Sequence, residues 1–298
     1  MRNYDIGDSL GSRSPDQIAE YLTEIGDLDS AKEFTQGMVG GQNLAFWAAK
    51  PYTQTGMVIG FIPYGGGKAS EVVGISQVEG DRALVGKRIK ITLDKFHVAD
   101  YPGLGAHTIL CEFFGKSQVP GETEELTFAL RFKARDNSGP AIAGAPIFMG
   151  ITVSEDGISF KGRTVNVANS IDDTILATLD TPAFKNGLAL LNTAQPALKP
   201  LTCLAAAAVD TTLKRKKNVQ VHSFDLGLDF AGGATSARLR HGSYVVVQTD
   251  SGAIWDWGQF FWNTDGLALQ YRAEPARQFD FNYMVFGVTA FSDASATS

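Results

Sequence analysis

Apolar and polar positions change their spacing three times along this chain, and each change marks a boundary. Over roughly the first 50 residues the spacing is helical. Ser14-Pro15-Asp16-Gln17 combines an N-cap serine, a proline at the first helical position and a glutamine at the third, a capping-box arrangement. Ile18, Tyr21, Leu22 and Ile25 then share one helical face, and Gly26 supplies a left-handed stop. Ser30-Ala31-Lys32-Glu33 offers a second capping box, and the glycines between Gly37 and Gly41 break any continuation.

From about residue 55 the period becomes two. Met57 to Pro63, Glu71 to Val78, Lys87 to His97, His107 to Phe114, Glu125 to Ala134, Pro146 to Val153 and Gly157 to Val167 read as successive strands. Ile89, Ile91 and Leu93 alternate with charged positions, and Leu126, Phe128, Leu130 and Phe132 repeat the pattern. Such alternation predicts antiparallel sheets with one packed face and one wetted face. Gly65-Gly66-Gly67, Tyr101-Pro102-Gly103 and Asp136-Asn137-Ser138-Gly139-Pro140 are turn signals, and Glu155-Asp156-Gly157 predicts a tight hairpin.

The second change comes at Asp172, and the third where strands resume at Val219. Helical runs follow at Asp172 to Leu179, Pro182 to Asn192, and Pro196 to about Lys216. The last ends in Lys214-Arg215-Lys216-Lys217, whose charges complement the negative end of the helix dipole. Strands resume from Val219 to Leu228, with a bulge expected near His222 or Ser223, and continue at Arg238 to Gln248 and Asp280 to Phe291. The expected fold is mainly β, an antiparallel β-sandwich with an N-terminal helix and an internal helical segment. Its regions are 1–50 (helix and loop), 51–170 (first β region), 171–217 (helical insert) and 218–298 (second β region). Two sandwich-like halves are expected, with one sandwich interrupted by the insert as the alternative.

Composition narrows the function. The chain has 298 residues, 44% of them hydrophobic and 19% charged, a folding composition with a lightly charged surface. A net charge of -6 and a pI near 5.3 argue against a general nucleic-acid binder, so no nucleic-acid partner is expected. Cys111 and Cys203 both lie in apolar stretches and read as buried free thiols. Met1 to Asp8 lacks the apolar core of a signal peptide. The apolar stretch Leu201 to Leu213 is shorter than the roughly 20 residues of a membrane span. A cytoplasmic protein is expected.

Catalytic patterns fail on spacing. Tyr64 to Ser70 lacks the first glycine of a phosphate loop, since position 62 is isoleucine, and alanine follows Lys68. Gly74-Ile75-Ser76-Gln77-Val78 lacks the closing glycine of a nucleophile elbow. His107 and Cys111 lie four apart on an expected strand and so share a face, which makes them the candidate pair for a Cys-His dyad against an ordinary core and rim pair. Asp94, Asp100 and Asp136 sit near strand ends, where carboxylates from neighbouring loops could converge on calcium; in these three residues only, the pattern resembles the acidic loop ends of C2-type sandwiches.

The stronger candidate is aromatic. Trp255-Asp256-Trp257-Gly258-Gln259-Phe260-Phe261-Trp262 holds three of the four tryptophans, and on a strand Trp255 and Trp257 would share a face. Trp255, Trp257, Gln259 and Trp262 are therefore the expected binding patch, suited to stacking or to anchoring a protein partner. The basic cluster of Lys214, Arg215, Lys216 and Lys217 is a second patch, suited to acidic partners or an anionic membrane. The function expected is non-enzymatic binding or self-assembly through protein-protein contacts, with no cofactor. One alternative is a membrane-active or lipid-binding, pore-forming protein in which the helical insert rearranges. Another is an enzyme of an unrecognised family built on His97, His107, Asp94, Asp100 and Cys111.

Overall fold

The computed structural model describes residues 4–36, 50–65, 67–119, 122–140, 142, 144–168, 176–180, 198–215, 217–231 and 236–292. Its main body is two antiparallel sheets packed face to face. One has six strands in the order β3 (Val73–Gly74), β1 (Gly56–Pro63), β11 (Gly242–Thr249), β14 (Tyr283–Ala290), β4 (Arg88–His97) and β7 (Ala145–Thr152). The other runs β10 (Ala237–Arg238), β9 (Asn218–Asp229), β8 (Ile158–Val167), β5 (Ala106–Val119) and β6 (Glu122–Arg135), with only the β10 and β9 pair parallel. A smaller sheet has the order β13 (Ala268–Tyr271), β12 (Phe260–Asn263) and β2 (Ala69–Glu71). Among the described residues the α-helices are α1 (Pro15–Glu24), α2 (Leu28–Gln36) and α3 (Leu198–Leu213).

Strands from before and after the helical segment lie side by side in both large sheets. β1 pairs with β11, β4 with β14, and β8 with β9. The two β regions therefore build one sandwich together and not two separate halves. The chain alternates between the layers, with β4 in one sheet, β5 and β6 in the other, then β7, then β8 and β9, then β11. The turn Ser154 to Gly157 does form, with Gly157 at φ 88°. The strands that it joins lie in different sheets, so it is a crossing and not the hairpin that its sequence predicts. A turn signal is local, whereas the partners of β7 and β8 are chosen by their long apolar faces.

Between the sheets, four phenylalanines lock the layers. Phe286 of β14 lies 5.1 Å from Phe160 of β8, 5.4 Å from Phe224 of β9 and 5.9 Å from Phe113 of β5, between ring centroids. Edge-to-face and tilted pairs of this kind add to the stabilisation from area burial. Gly162 makes the fit possible, because a Cβ there would meet the Phe224 ring at 2.2 Å. On the opposite face of β5 and β8, Glu112 and Arg163 form a buried ion pair, Nε to Oε2 2.7 Å, with Arg163 also 4.6 Å over the Tyr4 ring.

Local signals held where the chain supplied its own partners. Ser14 Oγ accepts from the Gln17 amide and Gln17 Oε1 accepts from the Ser14 amide, completing the capping box of α1, and Gly26 ends that helix at φ 87°. Ile89, Ile91 and Leu93 are fully buried. The β9 pairing skips Val221, next to the bulge expected at His222.

Other expectations gave way to tertiary partners. α2 starts at Leu28 and not at Ser30: Asp27 Oδ1 accepts from the Ser30 amide, and its Oδ2 accepts from the distant Gly103 amide. Glu71 to Val78 is not one strand, since β2 joins the small sheet, β3 joins the large one and Ile75–Gln77 forms a 3-10 turn. The run Pro182 to Asn192 lies outside the described residues. Of Asp172 to Leu179 only the end is described, and Ala177–Asp180 form a 3-10 turn. α3 buries Ala205, Ala208, Val209 and Thr212 and packs against β6 and β9. Cys203 falls on the opposite side of α3 and is exposed, while Cys111 is buried in the core; both are free thiols. Among the described residues no helix is long and apolar enough to cross a membrane.

Candidate functional site

The outer face of the six-stranded sheet is apolar over β11 and β14, as its inner face is. Tyr244 and Val246 of β11 face the sandwich core, whereas their neighbours Val245 and Val247 face outward, as do Tyr283 and Val285 of β14. The small sheet covers part of this outer face. Phe260 and Trp262 alternate along β12 and join Leu269 and Phe279 in a second apolar cluster. Trp262 is thus a core residue, 8% exposed.

The chain entering β12 makes the exposed part of the site. Asp256 Oδ1 accepts from the Gly258 amide at 2.9 Å, which caps a 3-10 turn at Trp257–Gln259. Trp255 and Trp257 therefore do not share a strand face, as the sequence suggests. Their rings meet edge to face at 5.5 Å and 62°, and Trp255 stacks on Phe260 at 4.9 Å and 21°. Trp257 lies where Gly60 has no side chain, since a Cβ on Gly60 would approach the ring at 2.8 Å. Both tryptophans are half-buried and Gln259 is exposed. Ile254 beside them stands wholly in solvent at 101% exposure.

Two open grooves flank this ridge. One, of about 660 Å³, is lined by Val58, Glu71, Val73, Gln77, Trp255 and Trp257 among others. The second, of about 400 Å³, includes Asp250, Ile254, Trp255, Gln259, Tyr271 and Phe281. Glu71, Asp250 and Asp256 put carboxylates on the grooves, and among the described residues no lysine or arginine lines either one. Asp250 and Asp256 have no ion-pair partner among the described residues. The indole Nε1 of Trp255 is buried and has no hydrogen-bond partner there. At the rim, Arg277 lies 4.5 Å over the Tyr271 ring while bonding Asp280. Burial and the Asp280 carboxylate together push the Tyr271 hydroxyl up to about 12. Tyr271, Phe281 and the Arg277 and Asp280 pair escaped the sequence reading, although the alternation Phe279, Phe281, Tyr283 was a signal that could have placed them on this face.

The other sequence candidates are dispersed. His107 Nε2 lies 2.9 Å from Asp136 Oδ1, and Asp136 also accepts from the Tyr101 amide at 3.0 Å. Cys111, further along the same face, is enclosed by the core, and burial pushes its thiol well up. Neither groove reaches these residues. Asp100 lies 3.7 Å from Lys50, and burial raises its carboxyl in spite of that cation. Asp94 sits apart on β4, accepts from Thr92 Oγ1 at 2.6 Å and is likewise raised by burial. His97 faces the Phe279 carbonyl at 3.1 Å and stacks on Tyr283; burial lowers its pKa. Among the described residues no group of three His, Cys, Asp or Glu is placed to hold a metal ion.

The basic cluster begins just beyond α3. Lys214 and Lys217 are exposed, Arg215 is half-buried, and Lys216 lies outside the described residues. Lys214 and Arg215 border a further groove of about 480 Å³ together with Arg13, Glu20 and Glu24. No protein-family model, no curated protein and no solved structure matches the chain, so the reading of its function rests on this geometry.

Proposed function

We propose that this chain is a cytoplasmic, non-enzymatic β-sandwich protein that binds a protein partner or a second copy of itself through the Trp255 and Trp257 ridge. The observation that carries the reading is Ile254, an isoleucine wholly in solvent, set beside a half-buried tryptophan on the lining of an open groove. Aromatic side chains with an apolar neighbour, bordered by polar groups, are the usual energetic centre of a protein interface. The titratable groups of the chain support the same reading, since His97, His107 and Cys111 are held in packing or in local bonds away from the grooves. Two free thiols suit a reducing compartment.

Native mass spectrometry of the purified protein tests this directly. The expected result is a defined oligomer or a stoichiometric complex with another protein, lost when Ile254→Asp places a charge on the ridge. A single-chain mass at every concentration, without protein bound, would refute it.

A further inference from the structure

We propose that the occupant of the ridge is the basic end of α3 from a second copy of this chain. The inference rests on the binding reading above and names its partner. Three observations point to it. First, the grooves present aromatic faces and carboxylates together, with Asp250 and Asp256 lacking ion-pair partners among the described residues. An aromatic face attracts a cation, and a nearby carboxylate strengthens that preference. The same surface already holds one cation in this way, Arg277 over Tyr271 with Asp280 beside it.

Second, the chain carries the complementary group. Lys214 and Lys217 are exposed at the end of α3 and have no ion-pair partner among the described residues, with Arg215 beside them. For a protein of net charge -6, the exposed Lys214 and Lys217 offer an acidic groove of another copy attraction in place of repulsion.

Third, the two patches lie on opposite sides of the sandwich. The ridge belongs to the layer outside the six-stranded sheet, and α3 packs on β6 and β9 of the five-stranded sheet. One copy therefore cannot satisfy both patches by itself. A contact between unlike patches on opposite faces is heterologous, and it propagates head to tail from copy to copy. In the contact, the lysine ammonium groups lie over Trp255 and Trp257 and against Asp250 and Asp256.

Sedimentation velocity with two neutralised variants tests the proposal. Asp250→Asn with Asp256→Asn disarms the groove, and the amide oxygen introduced at position 256 still accepts from the Gly258 amide. Lys214→Gln with Lys217→Gln disarms the helix end. All four positions are exposed, so both variants are expected to keep the wild-type circular dichroism and thermal unfolding. The wild type is expected to form a ladder of dimers, trimers and larger species that dissociates about tenfold more readily in roughly 0.5 M salt than in roughly 0.05 M. Each variant alone is expected to be monomeric. Mixed, they have one working patch each and should form a 1:1 dimer and nothing larger. If the mixture stays monomeric, the α3 end is not the occupant. Oligomers abolished by Ile254→Asp but indifferent to the lysine substitutions overturn this inference and leave the binding reading standing. A monomeric wild type that retains another protein does the same. A monomeric wild type with nothing bound overturns both.

Discussion

His222 makes the fold sensitive to acid, and the size of the effect follows from where it sits. The ring is buried between the sheets and borders a small cavity of about 10 Å³ with Tyr101, Thr164, Phe224, Gln248 and Asn282. Burial lowers its pKa to about 4, with a backbone hydrogen bond to Gly56 pulling weakly the other way. In the unfolded chain the same imidazole titrates near 6.5. Above that value both states are neutral at this residue and its contribution to stability is fully present. As the pH falls from about 6.5 toward about 4, the unfolded chain takes up a proton that the folded chain refuses, and stability is lost. The gap of about 2.5 corresponds to about 3 kcal/mol, a large part of the 5–15 kcal/mol typical of a folded domain. Urea unfolding of the wild type and His222→Gln at several values between about pH 4 and pH 8 measures it. The raised carboxyls of Asp94 and Asp100 act with the opposite sign, because they take up protons earlier in the folded state. They are common to both proteins and cancel in the comparison. The wild type is expected to lose about 3 kcal/mol more than the variant across the interval. Parallel curves would refute the claim that His222 is held neutral by burial.

Three further outcomes follow from the packing. Arg163→Met takes the guanidinium from the buried Glu112 carboxylate and should cost about 3–5 kcal/mol in denaturant unfolding, most of it recovered when Glu112→Leu is added; a loss under about 1 kcal/mol would show that the pair is not desolvated. Gly162→Ala drives a methyl into the Phe224 ring and should cost about 1–3 kcal/mol, relieved by Phe224→Leu; an unchanged unfolding midpoint would contradict the close approach. Ser14→Ala removes one half of the capping box of α1 and should cost about 1 kcal/mol, with faster amide exchange confined to the first turn of that helix. Exchange unaltered at Gln17 would count against the cap.

What the sequence alone determined is local and periodic. The capping box at Ser14 and the left-handed stop at Gly26 were legible because every atom they use lies within a few residues. The buried face of Ile89, Ile91 and Leu93 was legible because a strand repeats every two residues whatever its partner. The clustering of Trp255 and Trp257 was legible in the sequence, but their placement was not. Asp256 captures the Gly258 amide, and that turn sets the rings edge to face instead of side by side on a strand. Partnership was decided only by tertiary structure. Asp27, not Ser30, caps α2 while holding the Gly103 amide, and the Glu155 to Gly157 turn crosses between sheets. Trp262 entered the core because the outer face of β11 and β14 is itself apolar and had to be covered. The joining of the two β regions into one sandwich has the same origin. An alternating strand specifies which face it buries, but the strand it pairs with is chosen by the burial of whole faces at once, and no short window of sequence contains that choice.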